Sequence, residues 1–393
     1  MNYFYKSVAL VALASIIVTA NAKLYFIEKD KYYIKLDTHA LLNVEKLNFK
    51  STDKEFKDFI LREKFKYSSY FLRLSPSVQY PSFEIGMHLG YSKKNYEVFE
   101  DMIAKYDYSG FTDLAVFAKS AKFGEITLGR FEYNRDRFNI FFRKAIKFKP
   151  NDTKTFLGYF KYDFSYGDGE LRLGYETSKA KIAQLSTGYA SPNNLVNFTL
   201  TTSWITLKHD FTNDLLVVDD TYYMSGKASA LQIYTNLQFN VNRLTSKLEF
   251  DYLSLRNTPY EFIYGLYRDH SMITSDPDHE GNVYLNLDSY TYNVAFTTSY
   301  EFNKYFIPEI KLVKNQVNSY NRSFNANYLV KTSYVELGVK SYFLNSYKDL
   351  ANSYVYASVF AGNRKADDVT VFGDRYTNDN SVKGFNLKLA LKY

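Results

Sequence analysis

The chain has no cysteine, seven prolines, five histidines and a single tryptophan in 393 residues. Without cysteine there is no disulfide framework, no thiolate metal ligand and no thiol nucleophile. With so few prolines, nearly every backbone N–H is free to pair, which long strands require. Neither sign of charge dominates. Lys+Arg 49 against Asp+Glu 42 gives +7, far from the basic excess of a nucleic-acid-binding chain. His39, His88, His209, His270 and His279 fall at no metal-ligand spacing. None has Ser two positions later, no Gly-x-Ser-x-Gly elbow occurs, and no glycine loop is built to cradle phosphate. The sequence therefore offers no catalytic residue, no metal site and no cofactor site.

Long apolar runs are also missing beyond the first residues. Lys6 precedes the apolar stretch Ser7 to Val18, and Ala20-Asn21-Ala22 is a small-x-small cleavage site. Residues 1–22 thus read as a secretory signal peptide, whose twelve-residue apolar stretch is too short for a spanning helix of about 18 residues. Residues 23–393 form the exported domain. Removing the leader takes away one charge, Lys6, leaving +6.

What the chain has in abundance is Tyr (39) and Phe (33), with a period of two. Ile34, Leu36, Thr38, Ala40, Leu42 and Val44 take alternate positions, as do Phe83, Ile85, Met87, Leu89 and Tyr91. Shorter segments repeat the pattern: Leu171 to Tyr175, Phe198 to Trp204, Leu237 to Val241 and Leu248 to Tyr252. The longest run is Tyr290, Tyr292, Val294, Phe296, Thr298, Tyr300 and Phe302. The last nine residues alternate Phe385, Leu387, Leu389, Leu391 and Tyr393 with Asn386, Lys388, Ala390 and Lys392. A helix would need period 3.6, so the chain is read as β throughout, each strand with one apolar and one polar face. Nine tilted residues suffice to cross a bilayer.

These features predict an all-β chain: one transmembrane antiparallel β-barrel, with no linker and no repeat. Tyr166-Gly167-Asp168-Gly169 and Asn303-Lys304 are expected as short turns. Lys93 to Lys105, Asp210 to Lys227, Asn257 to Asn286 and Asn363 to Lys383 are expected as long outer loops. Of the 393 residues, 371 remain after the leader. At roughly 23 residues per strand and its connection this gives about 16 strands, with 14 and 18 as the neighbouring counts.

The segment Phe123-Gly124-Glu125-Ile126-Thr127-Leu128-Gly129-Arg130 resembles the general porins of Gram-negative bacteria. It matches their Gly-x-hydrophobic-x-Leu/Tyr-Gly-Arg strand in the first third of the barrel. The resemblance extends to the leader and to the aromatic terminal strand. It implies a 16-stranded homotrimeric diffusion channel in the outer membrane, passing small hydrophilic solutes, with a long third loop folded inward. It also implies a setting of outer-membrane lipid and lipopolysaccharide. The terminal strand, Phe385, Leu387, Leu389, Leu391 and Tyr393, resembles the signal read by the outer-membrane assembly machinery. The chain departs from the enteric members in lacking a Pro-Glu-Phe-Gly-Gly segment and in ending on Tyr rather than Phe.

Arg130, Arg135, Arg137, Arg143, Lys144, Lys147 and Lys149 are interrupted only by Glu132 and Asp136. Folded into the lumen, Arg130, Arg135, Arg137, Arg143 and Lys144 would form an anion-favouring constriction. The alternative is an outer loop that meets lipopolysaccharide phosphates. Arg130 shares the parity of Ile126 and Leu128; either a bulge at Gly129 turns it inward or the strand ends there. Asp276-Pro277-Asp278-His279-Glu280 and the group Asp367, Asp368 and Asp374 fit no EF-hand spacing and read as solvated acids. A general porin leads the functional reading. A channel selective for anions, phosphate or sugars is the first rival, and a secreted β-rich adhesin the second.

Overall fold

The structure is a computed structural model that describes residues 33–53, 62–99, 104–133, 139–173, 176–214, 221–257, 260–263, 283–285, 287–321, 326–344, 346, 351–369 and 375–392. The leader, Arg135, Arg137, Asp276 to Glu280, Asp374 and Tyr393 lie outside these residues. All regular structure among the described residues is strand.

The first third of the chain gives β1 (Tyr33–Asp53), β2 (Arg62–Gln79), β3 (Phe83–Phe99) and β4 (Ala104–Ser120). Next come β5 (Gly124–Tyr133), β6 (Asn139–Lys149), β7 (Thr153–Thr155), β8 (Gly158–Leu173) and β9 (Glu176–Ala190). They are followed by β10 (Val196–Asp214), β11 (Thr221–Val241), β12 (Leu244–Asn257), β13 (Tyr260–Ile263) and β14 (Val283–Leu285). The chain closes with β15 (Leu287–Tyr300), β16 (Ile307–Asn321), β17 (Ala326–Ser341), β18 (Tyr354–Val369) and β19 (Arg375–Lys392).

Three of the nineteen, β7, β13 and β14, are additions of three or four residues. The other sixteen pair antiparallel with their sequence neighbours, and β1 pairs with both β2 and β19. Ala40 lies between Leu72 and Leu391, so the terminal strand closes the barrel. A closed sheet leaves no unpaired edge, which is what allows strands to cross lipid. The sixteen-stranded barrel expected from the period-two pattern is present.

Register and exposure assign the faces. On β3, Phe83, Ile85 and Met87 are exposed, while Glu84 and His88 are half-buried. Following the pairs around the sheet, Val78, Ile85, Ala118, Ile126, Phe148, Phe164 and Leu185 stand on one outward row. On β15, Phe296 is 42 % exposed and Ala295 only 2 %. The outer surface is therefore an apolar belt. At the end where β1 begins, exposed aromatics cluster on the turns: Phe123, Phe156, Phe302, Tyr305, Phe306 and Phe343. Farther along the strands Phe111, Tyr166 and Trp204 are exposed. Aromatic residues at both edges of an apolar belt are the girdles of a membrane barrel.

Most turns at this end are tight; the exception joins β17 to β18 through residues 342–353. Asn242 sits at φ 54° between β11 and β12, in the left-handed region that asparagine tolerates. The Asn303-Lys304 turn is present: Asn303 Oδ1 accepts from the amides of Tyr305 (2.8 Å) and Phe306 (2.9 Å).

Three local expectations are corrected. Tyr166 to Gly169 is not a turn but lies inside β8. Most of the stretches read as long outer loops are strand: β3 runs to Phe99, β10 to Asp214 and β18 to Val369. Of these four stretches, only the one between β12 and β15 is a long connection, with β13 and β14 inside it. Finally, only residues 134–138 separate β5 from β6, far fewer than the long third loop that the porin resemblance implies.

Candidate functional site: the inner wall of the barrel

The polar half of each strand lines the lumen, because alternate side chains must point there once the apolar half faces out. On β2 to β4 the wall is tightly bonded. Arg73 Nε donates to Asp113 Oδ2 at 2.6 Å, and the Asp113 side chain is only 1 % exposed. His88 hydrogen-bonds Ser75 Oγ through Nδ1 at 2.9 Å and stacks on Phe117 with ring centroids 4.6 Å apart. Ser77 Oγ donates to Glu84 Oε1 at 2.6 Å. A bulge sets this geometry: Gly90 pairs with Asp113 and Tyr91 with Phe111, so Thr112 is the extra residue.

Charges continue around the wall as pairs. Lys35 meets Asp37 at 2.7 Å, Lys147 meets Asp163 at 2.8 Å, and Lys247 meets Glu249 at 2.6 Å. Lys119 stands across from Glu84 on one side and Glu125 on the other. Between the charged sectors runs a ladder of mostly uncharged side chains. Gln184 donates to Ser203 (2.9 Å), Ser186 and Thr201 share a hydrogen bond (2.7 Å), and Gln232 donates to Asp251 (3.1 Å). On β17 and β18, Glu336 accepts from Tyr356 Oη (3.1 Å) and Ser358 Oγ. Gly338 makes room for this, since a Cβ there would overlap the Tyr356 ring. Among the described residues the resulting field alternates in sign, with no continuous strip of one charge.

An apolar sector was not foreseen. Phe131 and Phe142 pack at 4.9 Å on the inner face, and Ile182, Ile205, Leu207 and Leu253 are buried on the same side of the sheet. Their alternation with exposed residues such as Trp204 carried the signal, but a segment apolar on both faces hides which face is which.

The described members of the expected constriction set lie elsewhere. Arg130 pairs with Leu114, and Lys144 with Asp168 beside Tyr166, all on the outward row. Neither alternative at Gly129 holds: β5 continues to Tyr133, and the bulge lies on β6. Gly129 pairs with Ala145 and Phe131 with Phe142, so Arg143 and Lys144 together face Arg130. Residues flanking a bulge project to one side, and Arg143 forms an ion pair with Glu170 there. Arg135 and Arg137 fall outside the described residues. His39 and His88 are on the inward parity. The terminal Phe385, Leu387 and Leu389 face out against Val359, Ala357 and Val355 of β18, and Leu391 is opposite Ala40. Of the two acidic groups, Asp367 accepts from Thr377 Oγ1 at 2.9 Å.

No family model and no curated protein matches the chain. Similar solved structures include in-vitro folded OmpT, an outer membrane protein of Vibrio cholerae. It is 12 % identical, with 93 % of this chain and 99 % of that chain covered and a TM-score of 0.47. The outer membrane channel DcaP of Acinetobacter baumannii is 11 % identical, with coverages of 93 % and 99 % and a TM-score of 0.45. Pseudomonas aeruginosa OccK1 is 12 % identical, with coverages of 91 % and 99 % and a TM-score of 0.43. Nothing about the inner wall follows from likenesses this distant.

Proposed function

We propose that the chain is an outer-membrane channel through which small hydrophilic solutes diffuse without energy input. One observation carries this: a closed barrel with an apolar exterior and an inner wall of hydrogen-bonded polar and charged groups, an arrangement that holds water within lipid. The signal peptide would direct export, and the tight-turn end would face the periplasm. Assembly as a homotrimer and recognition of the terminal strand by the assembly machinery belong to the same reading.

The alternating charge pairs favour a general channel over a strongly selective one. A fixed charge neutralised by its neighbour at 2.6–2.8 Å projects little field across a lumen. Liposome swelling with a series of uncharged sugars tests this. The rate should fall smoothly with solute size and rise linearly with concentration. Saturation at low concentration by one sugar would replace the general reading with a selective binding channel. No swelling at all would remove the channel reading.

A further inference from the structure

The outward row changes character at the far edge of the belt, from β5 to β9. Following each strand away from the tight turns, Leu128 is succeeded by Arg130, Ile146 by Lys144 and Arg143, and Tyr166 by Asp168 and Glu170. On β9, Ala183 is succeeded by Lys181 and Lys179. The register interlocks them. Asp168 stands between Lys144 and Lys181, and Glu170 is opposite Lys179 while forming its ion pair with Arg143. Arg143, Lys144, Lys179 and Lys181 are all exposed. Five cations thus surround two carboxylates, and the excess charge is positive.

An independent feature fixes the level of this patch. Tyr166 and Trp204, each 51 % exposed, stand on the same row as Ile146 and Ala183, immediately before the charges begin. Tyrosine and tryptophan concentrate where lipid chains give way to headgroups. Long basic side chains rooted at that level reach past the chains to the headgroup plane. Unneutralised positive charge beside a low-dielectric belt calls for anions at that height. The exposed apolar groups just below, Ile146, Leu185 and Trp204, suit acyl chains. A second copy docked about a two-fold axis fits poorly, because it would set this patch against itself and bring like charges together.

We propose that Lys144, Lys179 and Lys181, steadied by the Arg143–Glu170 pair, bind the phosphate groups of an anionic lipid headgroup in the leaflet on the side away from the tight turns. The inference rests on the barrel spanning a membrane, but not on its conducting solutes.

The test uses the full-length barrel purified in neutral detergent and native mass spectrometry with added diphosphorylated lipid A. Wild-type protein should retain the lipid, and Lys144→Gln/Lys179→Gln/Lys181→Gln should weaken retention on the order of tenfold or more. A dephosphorylated form of the lipid should bind wild type as weakly as the variant binds the native form. Millimolar inorganic phosphate should leave the complex intact; displacement would show a simple anion patch and overturn the lipid assignment. Equal retention by wild type and variant would overturn it too. Heat-modifiable migration checks that the variant folds, and Lys181→Gln alone, which removes one rim side chain, provides a milder test with a smaller loss expected. Conductance should be the same in wild type and variants. Its absence from all of them would count against the channel, while the lipid result would stand.

Discussion

Phe296→Arg and Ser299→Arg place the same cation on the two faces of β15 and should differ widely in effect. Phe296 faces out among Leu248 and Leu312, its partners on either side. A phenylalanine side chain presents about 200 Å². Its 42 % exposure therefore leaves about 80 Å² against lipid, worth about 2 kcal/mol. Arginine within the belt adds a cost of about 2–4 kcal/mol, so Phe296→Arg should destabilise the barrel by about 4–6 kcal/mol. Ser299 faces in, directly across from Glu309. An arginine there meets water and a carboxylate, and its effect should stay within about 1 kcal/mol. Equilibrium unfolding in phosphatidylcholine vesicles, followed by heat-modifiable migration, measures both. Equal losses, or a larger loss for Ser299→Arg, would refute the assignment of faces on this strand.

Trp204 is the only tryptophan, so fluorescence reports one position. In vesicles it should be quenched by brominated lipid and spared by aqueous iodide; the reverse would place that row in the lumen. Arg73→Gln leaves the Asp113 carboxylate buried without its guanidinium and should cost about 3 kcal/mol in the same unfolding assay. Asp113→Asn should cost less, since the Arg73 side chain is 35 % exposed and can be hydrated. Gly362→Ala should destabilise the barrel by about 1–3 kcal/mol, because a Cβ would strike the Ser333 carbonyl and Tyr334 backbone. Gly188→Ala, where only ordinary contacts arise, should fold normally.

Strand identity and strand number were legible because the belt enforces period two wherever a strand crosses lipid. Phe83 to Tyr91, Tyr290 to Tyr300 and Phe385 to Leu391 show this on their outward faces. Beyond the belt both faces are wet, alternation is no longer required, and strand looks like loop. β1 and β11 reach 21 residues for this reason, about twice what crossing needs. The Gly167-Asp168-Gly169 run misleads in another way. Its glycines lie on the inner face, where Gly167 meets Ala145 and Gly169 meets Phe142, so close packing rather than chain reversal calls for them. Parity arguments also fail past a bulge. The extra residue at Arg143 changes the phase of β6, and no sequence pattern marks which strand absorbs it. The charge pairs of the inner wall join residues as far apart as Arg73 and Asp113, so only register reveals them.

Water should fill the inner face of the barrel and lipid should cover the outer one. Lys311→Cys and Leu312→Cys, adjacent residues on β16 in a chain with no native cysteine, test it in single-channel recordings. Both variants should conduct. A negatively charged, water-soluble thiol reagent should change the conductance of the Lys311→Cys channel in a discrete step and leave Leu312→Cys untouched. Reaction at Leu312→Cys alone, or no conductance from either protein, would contradict the account.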